Sequence, residues 1–116
     1  MMMATLKTHL WVNAQVRTWT GQGLFTYVAH KGDPERGGLM IKRVPLNGTA
    51  ELYERALSMD GNPVWRRFGP EGGEPEQDAD ARIAKRLGHD QDLWVLEVED
   101  PSGNLVLDAP LESNSA

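Results

Sequence analysis

Cysteine is absent from all 116 positions. Disulfides, thiolate metal ligands and cysteine nucleophiles are thereby excluded, and the chain suits a reducing compartment. Long apolar runs are missing too. Nothing approaches the roughly 18–20 apolar residues of a membrane span, and Met1 to Leu10 lacks the ~7–15-residue apolar stretch of a secretory signal. Positive charge is in deficit: 12 Lys and Arg stand against 17 Asp and Glu, for a net charge of −5. That balance favours solubility and argues against general nucleic-acid binding, which rests on phosphate neutralisation. The expectation is a soluble cytoplasmic protein with no membrane partner.

Catalytic signatures are missing as well. No G-x-S-x-G elbow exists, and Ser58, Ser102, Ser113 and Ser115 fall at turns or near the end of the chain. The glycine-rich stretch Lys31 to Gly38 matches neither phosphate-loop pattern, and it joins two strands rather than opening a helix. His9, His30 and His89 have none of the close spacings of zinc sites. No catalytic residue, metal ligand or cofactor is therefore named, and a binding module is expected ahead of an enzyme.

What is present suffices for a core. Hydrophobic residues make up 40% of the chain and charged residues 25%, as in ordinary globular proteins. The length fits one α+β domain over residues 1–107, with 108–116 expected to fray as a tail. Thr8 to Trp19 places Val12, Val16 and Trp19 on a helical stripe, with Thr8 as N-cap and Gly21 and Gly23 as the stop. Four strands are expected next: Leu24–His30, Leu39–Val44, Ala50–Ser58 and Val64–Phe68. Turn signals separate them, with Asn47-Gly48 the strongest. They are expected to form a four-strand antiparallel meander. A second helix is expected from Glu74-Pro75 to Leu87, with Pro75 at its first position, Gly88 just past its end and Ala79, Ile83, Ala84 and Leu87 facing inward. Asp92 to Glu99 reads as a final strand, apolar on both faces in its first half. A short return at Leu105–Leu107 is possible. Both helices are expected on one face of the sheet.

Two surfaces stand out. Trp65, Arg66 and Arg67 form a candidate interaction surface, since Trp and Arg dominate interface hot spots. With Lys42 and Arg43, Trp65 and Arg66 also suggest a stacking face for single-stranded nucleic acid, which the acidic balance opposes. The second is the acidic cluster Asp90, Asp92, Glu97, Glu99 and Asp100, with Asp33 as a possible addition. Converging carboxylates hold Mg²⁺ or Ca²⁺, or support hydrolysis around such a cation. Otherwise they need arginine, and Arg86 and Arg17 are the candidate partners.

Lys7-Thr8-His9-Leu10-Trp11-Val12, Lys31-Gly32-Asp33 with Gly37-Gly38, Trp65, and Asp90-Gln91-Asp92-Leu93-Trp94-Val95 with Glu97-Val98-Glu99-Asp100 together resemble the bacterial family known as domain of unknown function 1491. The resemblance runs from about Leu6 to Pro110. Gln91 departs from it, standing where the family usually has proline, which loosens the turn before the strand. The resemblance implies a small bacterial cytoplasmic domain and brings no activity, substrate or catalytic residue. The leading expectation is a non-catalytic interaction module with an unknown protein partner or a second copy. A divalent-cation or hydrolytic site on Asp90–Asp100 and a weak single-strand binder are the alternatives.

Overall fold

The structure, a computed structural model, describes residues 7–112. In chain order the elements are α1 (Thr8–Gly21), β1 (Phe25–His30), β2 (Leu39–Val44), β3 (Thr49–Leu57), β4 (Pro63–Arg67), β5 (Glu74–Pro75), α2 (Glu76–His89), β6 (Trp94–Glu99) and β7 (Leu111–Glu112). The fold is α+β, as composition and pattern suggest. The seven strands form one mixed sheet in the order β1-β6-β2-β3-β4-β7, with β5 paired to β3 off that path.

The expected four-strand meander is not what forms. β2, β3 and β4 are successive antiparallel neighbours, but β1 and β2 never pair. β6 lies between them, antiparallel to β1 and parallel to β2. Burial explains the placement. Leu93, Trp94, Val95, Leu96 and Val98 are at most 4% exposed. A segment apolar on both faces needs cover on both faces, which only an interior position gives. β1 exposes four of its six residues and suits an edge.

Strand alternation separates two cores. Leu39 and Ile41 of β2, Tyr53 of β3, Trp65 of β4 and Trp94, Leu96 and Val98 of β6 join Trp11, Val12 and Trp19 of α1. Val44, Ala50 and Leu52 meet Ala79 and Ile83 of α2, and Met40, Leu93 and Val95 continue that layer toward Leu87. The helices therefore cover opposite faces, not one. Burying both faces of β2 and β6 demands this arrangement. Ala84, expected to face inward, is exposed.

Both helix starts also differ from expectation. Thr8 does not cap its own helix: its hydroxyl donates to the Gly37 carbonyl at 2.9 Å, and the His9 N–H donates to the Pro34 carbonyl at 2.8 Å. The loop of residues 31–38 thus satisfies N–H groups at the start of α1. Close approach fixes this loop, because a Cβ at Gly32 or Gly37 would run into the Asp92 carbonyl. Pro75 precedes α2 and belongs to β5, beside Thr49. Gly88 lies inside α2, which continues to His89.

No strand forms at Leu105–Leu107; the return comes at β7, parallel to β4. The stretch from 108 on, expected to fray, is fastened as far as 112; residues 113–116 lie outside the described residues. Asp108 accepts the indole N–H of Trp11 at 2.7 Å and of Trp65 at 2.9 Å, and pairs with Arg55 at 2.9 Å. Arg55 in turn covers the Trp65 ring, 4.7 Å from its centroid. Trp19 donates to the Val106 carbonyl at 3.2 Å, and the Pro110 carbonyl accepts the Trp65 backbone N–H at 2.8 Å. A C-terminal strap thus crosses the α1 face and closes the β4 edge.

Replacing Asp108 by alanine strands two indole N–H groups and the Arg55 cation. An unsatisfied buried donor costs about 1–3 kcal/mol, so D108A should lose about 3 kcal/mol, near 10 °C in Tm for a domain of this size. Chemical denaturation followed by tryptophan fluorescence checks it. A loss below about 1 kcal/mol would mean that water replaces the carboxylate fully.

Candidate functional site

The acidic segment does not converge. Asp100 is 1% exposed and serves the fold: it pairs with Arg43 at 2.9 Å and accepts the N–H groups of Asn104 at 2.6 Å and Leu105 at 3.1 Å. Burial alone would raise its pKa. The Arg43 guanidinium and the two backbone donors outweigh burial and hold the carboxyl below its ordinary value. Glu97 faces α2, 3.3 Å from the ammonium of Lys42. Asp90 sits 3.6 Å from Arg86, whose nearer partner is Glu54 at 2.5 Å. Asp90 also accepts the N–H of Asp92, which is exposed beyond it. Glu99 lies between Phe25 and Val44. Asp33 accepts the N–H groups of Glu35 and Arg36 in its own loop. Arg17 cannot serve Glu97, because α1 and Glu97 occupy opposite faces of the sheet. Among the described residues no three His, Asp or Glu side chains stand close enough to hold a metal ion.

Lys42 is the most buried cation, 4% exposed. It bonds to Glu76 and Asp80 of α2, each at 2.7 Å, as well as to Glu97. Burial would lower its pKa, but the three carboxylates raise it above the ordinary lysine value. A lysine so held stays a cation, with no free amine for nucleophilic chemistry.

The Trp65 surface fails on burial. Trp65 is 0% exposed, and Arg55 and the Trp11 ring cover it. No base can stack there. Arg66 bonds to the Leu57 carbonyl at 3.0 Å and approaches Glu112 at 3.4 Å. Arg67 lies close enough to Tyr53 to oppose the rise in its pKa that burial and Glu51 cause. Arg66 and Arg67 share a depression of about 350 Å³ with Glu54 and Phe68.

A different concavity has the features of a site. It runs between α1 and the edge strand β1. At one end, a pocket of about 380 Å³ is lined by His9, Asn13, Val28, Lys31, Pro34 and Trp94. Asn13 and Val28 also border a second hollow of about 590 Å³, which extends along α1 past Val16 and Arg17 to Thr20. The two make one groove with an apolar floor and a polar helical wall. No carboxylate lines it. The His9 ring bonds to the Pro34 carbonyl at 2.9 Å through Nδ1, which must carry the proton because a carbonyl only accepts. Its Nε2 is left as the other polar position of the ring. The nearest loop acids are engaged: Asp33 in its turn, Glu35 with Lys7 at 3.5 Å.

Sequence reading missed this groove because its residues come from three separated segments. One signal was available. Residues 1–32 contain Lys7, Arg17 and Lys31 and no Asp or Glu, so the rest of the chain carries the whole acidic excess. Both walls of the groove come from that carboxylate-free stretch.

The model of a family described as a protein of unknown function, DUF1491, matches residues 6–108. The chain belongs to that family. Two solved structures of DUF1491 proteins from Caulobacter crescentus CB15 resemble it over nearly its whole length. The crystal structure is 37% identical with a TM-score of 0.83, covering 93% of this chain and 100% of that one. The NMR structure is 36% identical with a TM-score of 0.81, covering 96% and 100%. Protein Atu0922 from A. tumefaciens, 24% identical over 83% of this chain and 86% of its own, shares the fold with a TM-score of 0.69. No curated protein matches. DUF1491 membership assigns no activity. No helix among the described residues is long and apolar enough to cross a membrane.

Two outcomes follow from the ion pairs of this DUF1491 chain. Asp100 has a lowered folded pKa, so its contribution is present above the unfolded value of about 3.9 and is lost as pH falls through the folded value. Asp100→Asn should cost about 2 kcal/mol at neutral pH and flatten the acid limb of a stability–pH profile below about pH 4. An unchanged acid limb would remove Asp100 from that role. Mg²⁺, Ca²⁺ or Mn²⁺ at about 10 mM should leave the wild-type Tm unmoved, whereas a cation held a hundredfold above its Kd would add about 2.7 kcal/mol.

Proposed function

We propose that this chain is a small non-catalytic binding module whose site is the groove between α1 and β1, and that its partner presents negative charge there. The observation that carries this reading is the state of Arg17 and Lys31. Neither has a carboxylate partner among the described residues, and unlike Arg36 and Lys85, which also lack one, both line the groove; Lys42, Arg43, Arg55, Arg82 and Arg86 are all committed to ion pairs. Uncommitted cations on a concave, partly apolar surface supply attraction and orientation without a large desolvation cost. The net charge of −5 strengthens the contrast, since an anionic partner is repelled elsewhere and steered to this side.

The hydrolytic and cation-binding alternative loses support because most of its carboxylates already have structural partners. The single-strand alternative loses its platform, with Trp65 and Lys42 buried. A cytoplasmic setting remains the reading that suits a chain without cysteine.

The test is a low-salt titration of ¹⁵N-labelled protein with poly-glutamate. Amide shifts are expected to cluster at residues 9–20, 28 and 31, and R17A/K31A should weaken binding about tenfold, equivalent to roughly 1.4 kcal/mol. Absence of binding at low salt, or shifts confined to other surfaces, would overturn the reading.

A further inference from the structure

The nature of the partner can be read from β1. Its inner side is paired to β6, and no described residue pairs along its outer side. The other margin of the sheet is treated differently, because the C-terminal strap covers β4 through β7. Exposed edges are commonly blunted by lysine, proline or a covering segment. β1, reading Phe-Thr-Tyr-Val-Ala-His, has none of these; its one irregularity is a register shift against β6 between Val28 and His30, which leaves Phe25 to Val28 in regular register. Its faces also differ. Toward α1 it offers Val28, beneath Asn13 and Arg17 and beside Lys31. On the α2 side it offers Phe25, 60% exposed, and Tyr27, 39% exposed, their rings 5.5 Å apart. Behind those rings stand Glu99 and Glu97 of β6.

We propose that the outer edge of β1 takes up an extended peptide as an added strand, and that this peptide alternates acidic and apolar residues. The inference rests on the groove as the binding site and adds the partner's chemistry and backbone geometry. Main-chain pairing would sort the peptide's side chains alternately onto the two faces. Those turned toward α1 meet Arg17, Lys31, Asn13 and His9, where carboxylates are favoured. Those turned the other way lie over Phe25 and Tyr27, where Glu97 and Glu99 repel a carboxylate and an apolar group is favoured.

Length agrees with this occupant. His9 to Gly21 along α1 spans about 18 Å at 1.5 Å per residue, the reach of about five or six extended residues at 3.3 Å each. His9, which shares its pocket with Lys31, lies about 12 Å from Arg17 along the helix, close to the ~13 Å between residues i and i+4 of a strand. A second copy of this chain is the poorer occupant. Its β1 carries no carboxylate to meet Arg17 and Lys31, and two chains of net charge −5 repel.

The experiment uses a synthetic alternating glutamate–leucine hexapeptide and the same peptide N-methylated at every second residue on either phase. Binding is followed by isothermal titration and by amide hydrogen exchange of the full chain. The unmodified peptide should bind about tenfold or more tightly than at least one N-methylated form, and should protect β1 amides within residues 25–30. R17E/K31E, both at exposed positions, should abolish binding of every peptide. Equal binding of all forms without protection of β1 would overturn strand addition while leaving the groove as an anion site. Binding unaffected by R17E/K31E would overturn the groove itself. Protection of β1 that rises with protein concentration in the absence of peptide would assign the edge to a second copy and overturn this proposal.

Discussion

The burial of β6 on both faces is the constraint from which the rest of the architecture follows. Leu93 and Val95 point to one side of the sheet and Trp94, Leu96 and Val98 to the other, and none of the five is more than 4% exposed. Such a segment needs a helical layer above it, another below it, and a strand on each flank. α1 and α2 supply the layers, and β1 and β2 supply the flanks. β1 is thereby pushed to the margin, which leaves its outer backbone open and creates the shelf beneath α1. The candidate site is thus a by-product of where the last long strand had to go.

Much of this was legible locally. The division of β6 into two faces followed from alternation alone, and Asn47-Gly48 marked the β2–β3 turn. Partner choice was not legible. A meander of neighbours and a sheet with β6 inserted use the same local patterns, and the insertion decides both the strand order and the helices' sides. Trp65 was misread because tryptophan is rich both in interfaces and in cores; its indole N–H found Asp108, 43 residues away in sequence. The acidic segment looked like a cluster because sequence proximity was taken for convergence. In the fold Glu97 faces Lys42, Asp90 faces Arg86, and Asp100 turns to Arg43.

Charge is organised in two ways in this protein. Inside and at the sheet surface, pairs are matched and serve geometry: Arg82 clamps Glu74 through two bonds of 2.9 and 3.0 Å, and Lys42 fastens α2 to β2 and β6. Along α1 and β1 the cations stand without carboxylates. Buried pairs of the first kind are weak evidence for net stability but strongly penalise loss of one partner. Cations of the second kind cost little to maintain and respond to salt.

The position of β6 also governs how the chain can be assembled. Synthesis delivers β1 and then β2, β3 and β4 well before the strand that belongs between the first two. Until residue 99 has emerged, β1 has no neighbour in the sheet, and β2 exposes a bare flank. The antiparallel β2–β3–β4 unit joins near neighbours and can form early, whereas β1–β6 closure spans about two thirds of the chain and carries a large loop-closure entropy. The first helix and strand must therefore wait, unsheltered, for a partner made after the four intervening strands, and the aromatic-rich β1 is the stretch most open to capture by other nascent chains.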